Sequence, residues 1–391
     1  MGDSVGHAAT AVRSALRPPI PAELTPRTSP SPRAAGGVGV TAPTSVLSTP
    51  IDVPSSTQSR IVGLVFRAVI SPLVRRIPIT AWPMSVAFAV DLAAKVIPTP
   101  TGVTAEKVHF AGFDAEIVRP CIPRSNLAEG AVLYFHGGAF LIGGLNSHRP
   151  VVAALARRTG LPVIHVAYRQ LPRTPITGSI DDCTTTYRWL LDQGADPATV
   201  VFAGDSAGGF LAFATAVAAA HAGMPRPAGL IGFSPWLDLD CTTKLAHPNR
   251  TTDAYLPAEL LATVSRIGGY DPVTPNSALS PTTDDLAALP PVLLIAAESE
   301  VVRIDSELMA GRLANAGVPC VVHIWHDQIH AFTTLFPDMP ESRAALDAAA
   351  HFIHGRISAT VNCGDLTYPV APPAAFDSAA TRPVIPEQMA P

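Results

Sequence analysis

Short apolar runs alternate with helical patterns along most of the chain, from about residue 103 onward. Residues 106–110 and 115–118 flank the turn Ala111-Gly112 and predict two short strands. Six further apolar runs also predict strands, and the first of them is typical of a strand buried on both faces. These runs are residues 131–135, 162–166, 200–203, 230–233, 292–295 and 321–324.

Segments with helical spacing separate these predicted strands. They are residues 151–159, 179–191, 208–222, 301–317 and 341–354. Buried strands that alternate with helices are characteristic of a mostly parallel sheet covered by helices on both faces. The alternation stops between about residues 237 and 289, where we predict a helical and irregular insertion. Residues 103–358 are therefore predicted to form one α/β domain.

The two ends of the chain have a different composition. Residues 1–54 and 359–391 are rich in Pro, Ser, Thr, Ala and Gly, and they hold many of the 40 prolines. They contain too few large apolar side chains to offset the chain entropy lost on folding, so both are predicted to be disordered. The N-terminus also lacks the charged start and unbroken apolar core of a secretory signal.

Residues 61–97 are strongly apolar but are interrupted by arginines and prolines, among them Arg67, Pro72 and Pro78. A membrane span needs about 20 uninterrupted apolar residues. We therefore predict two or three short helices within residues 55–102. They are expected to pack on the core or to cap an active site, and a peripheral contact of residues 61–97 with lipid stays open.

Charge and cysteine content narrow the class of protein. Lys+Arg number 27 against Asp+Glu 31, for a net charge of −4, and no basic run exceeds a pair, which argues against a nucleic-acid partner. Five widely spaced cysteines predict free thiols in a reducing compartment rather than disulfides or a zinc site. We expect a cytoplasmic protein, with envelope association left open. The sequence does not indicate an oligomeric state.

The sequence Gly204-Asp205-Ser206-Ala207-Gly208-Gly209 lies between a predicted strand and a predicted helix. A sharp turn in this context exposes a serine hydroxyl as a nucleophile. The flanking glycines avoid side-chain collisions around the turn. The N–H of Ala207, at the positive end of the helix, can stabilise a developing oxyanion. Asp205 is interpreted as a structural partner of the turn, and an ordinary serine in a glycine-rich connection is the alternative.

A second glycine motif, His136-Gly137-Gly138, directly follows the predicted strand at residues 131–135. Glycines let the backbone approach a bound substrate closely. The N–H groups of Gly137 and Gly138 could then donate to the same oxyanion. Taken alone, the motif could equally be a plain turn. Its position upstream of Ser206 favours a role beside the nucleophile.

In this order, the two motifs resemble the bacterial hormone-sensitive-lipase-like esterases of the α/β-hydrolase superfamily. Further matching segments are Tyr168-Arg169, Asp181-Asp182, residues 234–239, Ser280-Pro281 and residues 289–291. The resemblance covers roughly residues 103–356. It implies the α/β-hydrolase fold, hydrolysis of short- to medium-chain esters, and no metal or organic cofactor. The family often has Ala-Pro-Glu where this chain has Leu171-Pro172-Arg173.

The resemblance also implies that an acidic residue follows the strand at residues 292–295. Matched to the family pattern, Glu300 is the acid that partners a histidine, although aspartate is commoner in the family. Glu298 and Asp305 are the alternatives. A glutamate at a helix N-terminus, stabilised by the helix dipole, is the structural interpretation of Glu300.

The matching histidine of the family is followed by a small residue and phenylalanine, which His330-Ala331-Phe332 satisfies. His326 is the alternative. His323 alternates within a predicted strand and is interpreted as structural.

These residues together predict a carboxylic ester hydrolase that works through an acyl-enzyme. The predicted catalytic residues are Ser206, Glu300 and His330, with an oxyanion hole from the N–H groups of Gly137, Gly138 and Ala207. The same residues could instead hydrolyse amides or transfer acyl groups. Two further alternatives are a lipase that uses residues 61–97 as a membrane interface and a receptor that binds a ligand without catalysis.

Overall fold

Nine strands form one sheet in the part of the chain that the structure describes. They are β1 (Leu47–Ile51), β2 (Val103–His109), β3 (Asp114–Pro120), β4 (Ala131–Phe135), β5 (Val163–Ala167), β6 (Val200–Asp205), β7 (Gly229–Phe233), β8 (Val292–Ala297) and β9 (Cys320–Trp325). Their order is β1-β9-β8-β7-β6-β4-β5-β3-β2. The sheet is parallel except where β3 pairs with β2 and β5. The prediction of a mostly parallel sheet is therefore confirmed.

This computed structural model describes residues 47–51, 54–76, 91, 93–96, 98, 100–122, 126–274, 276, 279 and 281–358. The predictions of disorder for residues 1–46 and 359–391 lie outside the described residues. Four cysteines fall within them, and all four are free thiols, as predicted.

Helices follow most of the strands. They are α1 (Thr57–Val65), α2 (Ser71–Arg76), α3 (Leu145–Thr159), α4 (Ile176–Asp192), α5 (Ala207–His221), α6 (Thr242–Ala246), α7 (Asn249–Thr252), α8 (Ala258–Ile267), α9 (Arg303–Asn315), α10 (Phe332–Leu335) and α11 (Pro340–Ser358). Helices α6, α7 and α8 occupy the interruption at residues 237–289, which confirms a helical insertion there.

Two clusters of buried apolar side chains cover the two faces of the sheet. Side chains alternate between them along β4, with Leu133 and Phe135 in one cluster and Val132 and Tyr134 in the other. All five residues of β4 are buried. The alternation explains why the central strands are apolar at nearly every position rather than at every second one.

Strand β1 lies within the extension that composition predicts to be disordered, so that prediction is wrong for these five residues. β1 pairs in parallel with β9 at the edge of the sheet, with Ile51 buried. Main-chain pairing with β9 therefore holds these residues in the sheet. Pro50 is compatible with this position because an edge strand can spare a backbone donor.

Residues 57–76 are helical, as predicted for the segment 55–102. A π-helical turn (Phe66–Ile70) joins α1 to α2. Helix α1 packs on the loop after β9, where the Ser59 hydroxyl donates to Oε1 of Gln328 at 3.2 Å. In the described part of the chain, no helix has the length and hydropathy that a membrane span requires.

A buried ion pair holds the insertion to the sheet domain. Nζ of Lys244, in α6, lies 2.7 Å from Oδ1 of Asp305, in α9, and both side chains are fully buried. The other oxygen of Asp305 accepts the N–H groups of Leu237 and Asp238, each at 3.0 Å. Burial raises the pKa of Asp305 to about 6, against the opposing effect of Lys244. These contacts fix where the insertion begins.

The β6–α5 turn requires glycine for steric reasons. A Cβ on Gly208 would lie 1.9 Å from the carbonyl oxygen of Phe135, at the end of β4. A Cβ on Gly204 would lie 2.2 Å from the carbonyl oxygen of Gly208. The first turn of α5 can therefore approach β4 only because these side chains are absent.

We expect Gly208→Ala to lower the free energy of unfolding by about 2–4 kcal/mol, because the backbone must move to relieve the collision. Gly311→Ala is the matched control, since Gly311 is exposed in α9 and a Cβ there would have no neighbour within 4 Å. It should raise stability by about 0.5–1 kcal/mol through helix propensity. Urea denaturation of both variants tests this, and equal stability of the two would contradict it.

Candidate active site

Ser206 occupies the turn between β6 and α5 in a conformation that is unusual for a residue with a side chain. Its φ is 50° and its ψ is −118°. The turn is held by two main-chain hydrogen bonds of 3.0 Å, from Ser206 N–H to Phe233 O and from Trp236 N–H to Ser206 O. Backbone strain of this kind is kept where the surrounding structure enforces it, which is common at functional sites.

The structure brings Ser206, His330 and Glu300 together. Nε2 of His330 lies 2.9 Å from Oγ of Ser206, and Nδ1 lies 2.8 Å from Oε2 of Glu300. All three side chains are buried. Since a carboxylate can only accept, Nδ1 carries the proton and Nε2 is left to accept the serine hydroxyl. This arrangement can remove a proton from the serine as it attacks an electrophile.

Burial and the Glu300 carboxylate act in opposite directions on His330. Burial lowers the pKa of the imidazole, and the hydrogen bond and charge of Glu300 outweigh it, so the pKa of His330 lies above its usual 6.5. Burial also raises the pKa of Glu300, against the hydrogen bonds that it accepts from His330 and the Ala297 N–H. When His330 accepts a proton, the Glu300 carboxylate therefore stabilises the resulting imidazolium.

The insertion holds the loop that carries Glu300. Nδ2 of Asn249, in α7, donates to the carbonyl oxygens of Glu298 and Glu300, both at 2.9 Å. Oδ2 of Asp253 accepts the Val301 N–H at 2.8 Å. The sequence analysis did not identify Asn249 or Asp253, because neither belongs to a motif and their partners are about 50 residues away.

The other acidic residues considered for the partner of His330 have different partners in the structure. Asp305 is paired with Lys244, as described above. Glu298 binds Nδ1 of His326 at 2.8 Å in a partly exposed pair. These two residues thus form a second Glu–His pair, and no hydrogen bond joins it to Ser206 among the described residues.

Gly137 is not available as an oxyanion donor, so this prediction is wrong. Its N–H donates to Oδ1 of Asp205 at 3.0 Å, and the same oxygen accepts the Tyr134 hydroxyl at 2.7 Å. The Oδ2 atom of Asp205 lies 3.4 Å from Nε2 of His148. Asp205 therefore joins the nucleophile turn to the glycine loop, in agreement with its interpretation as a structural partner.

The next two amides of the loop, those of Gly138 and Ala139, donate to no acceptor among the described residues. Neither does that of Ala207 at the start of α5. Gly138 has a φ of 110°, and a Cβ there would lie 2.1 Å from Ile142 O. Of the three amides predicted as oxyanion donors, those of Gly138 and Ala207 are thus without an acceptor among the described residues, and that of Gly137 is not.

His136 holds the glycine loop through a hydrogen bond to the Gly137 carbonyl. Its buried ring stacks on Tyr168 with 4.3 Å between centroids, and Nδ1 donates to Gly137 O at 2.8 Å. Burial lowers the pKa of His136 to about 3, so the ring is neutral at physiological pH. A neutral donor here fixes the Gly137 carbonyl without adding charge.

A cleft of about 1080 Å³ opens beside the glycine loop. Apolar side chains such as Phe113 and Leu141 and cationic ones such as Lys107 and Arg173 line it. Arg173, which replaces the glutamate common in the family, is exposed at this cleft. Ser206 and His330 are not among the described residues that line this cleft.

Comparison with known proteins gives consistent matches. A family model described as alpha/beta hydrolase fold matches residues 132–334. The esterase LipU of Mycobacterium tuberculosis is 38% identical over 285 residues, 71% of this chain and 94% of LipU. The carboxylesterase/phospholipase LipF of the same organism is 36% identical over 317 residues, 78% of this chain and 84% of LipF.

Solved structures give the same result. The crystal structure of an esterase from the bacterial hormone-sensitive lipase family aligns with a TM-score of 0.69 and 28% identity, over 78% of this chain and all of that one. The fold and the serine turn thus define an α/β hydrolase. The chain belongs to the hormone-sensitive-lipase-like family of bacterial esterases, whose class of chemistry is serine ester hydrolysis.

We expect Asn249→Ala to lower kcat about tenfold with little change in KM, because Glu300 would lose the two contacts that fix its loop. Steady-state kinetics with a p-nitrophenyl ester measure this. Asn126→Ala serves as a control for losing an asparagine side chain away from the site, because Asn126 is exposed and its Nδ2 donates to the nearby Glu129. A change in KM alone would contradict a positioning role for Asn249.

Proposed function

We propose that this chain hydrolyses short- to medium-chain carboxylic esters through an acyl-enzyme on Ser206. The observation that carries the proposal is the imidazole of His330, which bridges the serine hydroxyl at 2.9 Å and the Glu300 carboxylate at 2.8 Å. Membership of an esterase family and the esterase and carboxylesterase relatives support the same reaction.

In the acylation step, Oγ of Ser206 attacks the ester carbonyl carbon while Nε2 of His330 takes the hydroxyl proton. The resulting imidazolium is stabilised by Glu300, which also holds the ring in the tautomer that leaves Nε2 free to accept. The carbon–oxygen bond to the alcohol then breaks, and His330 gives its proton to the departing alkoxide. The acyl group stays on Ser206 as an ester.

The charge on the carbonyl oxygen needs donors that are already in place. We propose the unoccupied N–H groups of Gly138, Ala139 and Ala207 for this role. They belong to two segments in close contact, because the turn at Gly208 packs directly on the end of β4. One such donor is worth about 3 kcal/mol of transition-state stabilisation.

Deacylation repeats the same proton transfers with water. His330 takes a proton from a water molecule that attacks the acyl carbon, and the proton then returns to Oγ of Ser206 as the carboxylic acid leaves. Because each half-reaction begins with a neutral imidazole, the protonation state of His330 controls both.

Replacement of the proposed acid tests the assignment. We expect Glu300→Gln to lower kcat/KM about 10³- to 10⁴-fold, since the buried imidazolium would lose its counter-charge. Glu298→Gln is the matched control, because Glu298 makes an equally short contact with a histidine, at 2.8 Å. It should retain near wild-type turnover of p-nitrophenyl butyrate.

Ser206→Ala should remove nearly all of this turnover, with a loss of about 10⁴-fold or more. If Glu298→Gln were the damaging variant, the acid would be misassigned. If Ser206→Ala retained full activity, the acyl-enzyme proposal would fail. A series of acetate, butyrate, octanoate and palmitate esters tests the proposed preference for shorter acyl chains.

The pH dependence of kcat/KM should report the shifted imidazole. His330 must be neutral to act as a base, and its pKa is raised, so activity should fall as pH decreases through a value above 6.5. In Glu300→Gln the charge that raises this pKa is gone and burial still lowers it, so the acidic limb of the residual activity should move to lower pH. A limb that stayed in place would contradict the proposed coupling.

A further inference from the structure

The helical segment from α1 to α2 presents large aliphatic side chains to solvent. Their exposed fractions are 56% for Ile61, 68% for Leu64, 45% for Val65, 58% for Val69 and 57% for Leu73. We name these five residues the aliphatic face. Ten large hydrophobic residues are exposed in the described part of the chain, and half of them lie within these 13 positions.

The aliphatic face is a property of the helix and not a scatter of single residues. Ile61, Val65, Val69 and Leu73 recur every four positions, and residues four apart lie on the same side of a helix. The five side chains therefore form a continuous stripe along about 20 residues of helical structure, which is the pattern of an interfacial helix.

The opposite side of the same helices packs on the protein through small residues and one aromatic ring. Ser59, Gly63 and Ser71 are buried. The ring of Phe66 lies 5.2 Å from that of Tyr255 and 6.0 Å from that of Phe336. The fold therefore uses none of the five aliphatic side chains in its core, and their exposure needs a different explanation.

The charges along this segment have one sign. Arg60, Arg67, Arg75 and Arg76 are all exposed, and residues 54–76 contain no aspartate or glutamate. Within the described residues, none of these arginines forms a close ion pair with a carboxylate, although the charge of Arg75 contributes to lowering the pKa of Glu259. An aliphatic stripe flanked by arginines matches the acyl and headgroup layers of an anionic bilayer. A second copy of this face would instead bring arginine against arginine.

The segment also lies beside the loop that leads to His330. Oγ of Ser55 lies 3.3 Å from the carbonyl oxygen of His326, and the hydroxyl of Ser59 binds Gln328. We propose that α1, the π-helical turn and α2 dock this protein on the surface of an anionic lipid bilayer, with the aliphatic face inserted. The docking involves no catalytic step, so it can fail or succeed independently of the proposed ester hydrolysis.

Vesicle cosedimentation of the full chain tests the proposal. Vesicles of phosphatidylcholine with phosphatidylglycerol are compared with vesicles of phosphatidylcholine alone. We expect stronger binding to the anionic vesicles. Leu64→Asp/Val69→Asp should lower partitioning about tenfold or more, since two charges would enter the apolar layer. Ile122→Asp/Val273→Asp is the matched control, because those side chains are 90% and 84% exposed elsewhere.

The control variant should bind like the wild type, and both variants should hydrolyse a water-soluble ester at the wild-type rate. The proposal is overturned if the wild type stays in the supernatant or if both variants lose binding equally. It is also overturned if sedimentation velocity shows a wild-type dimer that only Leu64→Asp/Val69→Asp dissociates. Vesicle binding by a chain without esterase activity would support docking and count against the proposed function.

Discussion

The close contact between the first turn of α5 and the end of β4 is the constraint on which the rest of the site depends. A single methyl group at Gly208 would lie 1.9 Å from the Phe135 carbonyl oxygen, which is far too close. With that methyl absent, the serine turn and the glycine loop lie against each other. The nucleophile and the N–H groups without an acceptor are then held together before a substrate binds. Little free energy is therefore needed to arrange them when it does.

Two buried carboxylates, Asp205 and Glu300, have different roles in the site, and the hydrogen bonds that each accepts determine its role. Asp205 accepts from Tyr134 and Gly137, so it holds backbone in place. Burial raises the pKa of Asp205, but His148 and the hydrogen bond from Tyr134 outweigh that effect, so the pKa is lowered. Glu300 keeps one oxygen for His330. A buried carboxylate is tolerated only when its oxygens are satisfied, so neither residue could take over the other's role without leaving a partner unpaired.

The sequence predicted the parts of this structure that depend on local pattern. Each predicted strand from residue 103 onward is present, because the buried strands are continuous apolar runs and the mostly exposed β2 is marked by the turn that joins it to β3. Features set by distant partners were missed. Helix α3 begins at Leu145, ahead of the predicted start at residue 151, because Asp91 accepts the N–H groups of Asn146 and Ser147. The prediction that the Gly137 N–H is an oxyanion donor is wrong for the same reason, because this N–H donates to the carboxylate of Asp205, 68 residues away.

The N-terminal helices show a second limit of prediction from the sequence, which concerns the direction of side chains. Hydropathy counts how many apolar residues a segment holds, but it does not say which way they point. In residues 57–76 a conventional amphipathic helix would bury its aliphatic side chains and expose its serines. Here Ser59 is buried against Gln328 in the loop after β9, and Ser71 is buried in α2. Close packing of the small face leaves the aliphatic face outside, where it loses the roughly 25 cal/mol per Å² that burial would provide. The proposed docking on a lipid bilayer would recover that loss, because the acyl layer would cover the aliphatic face.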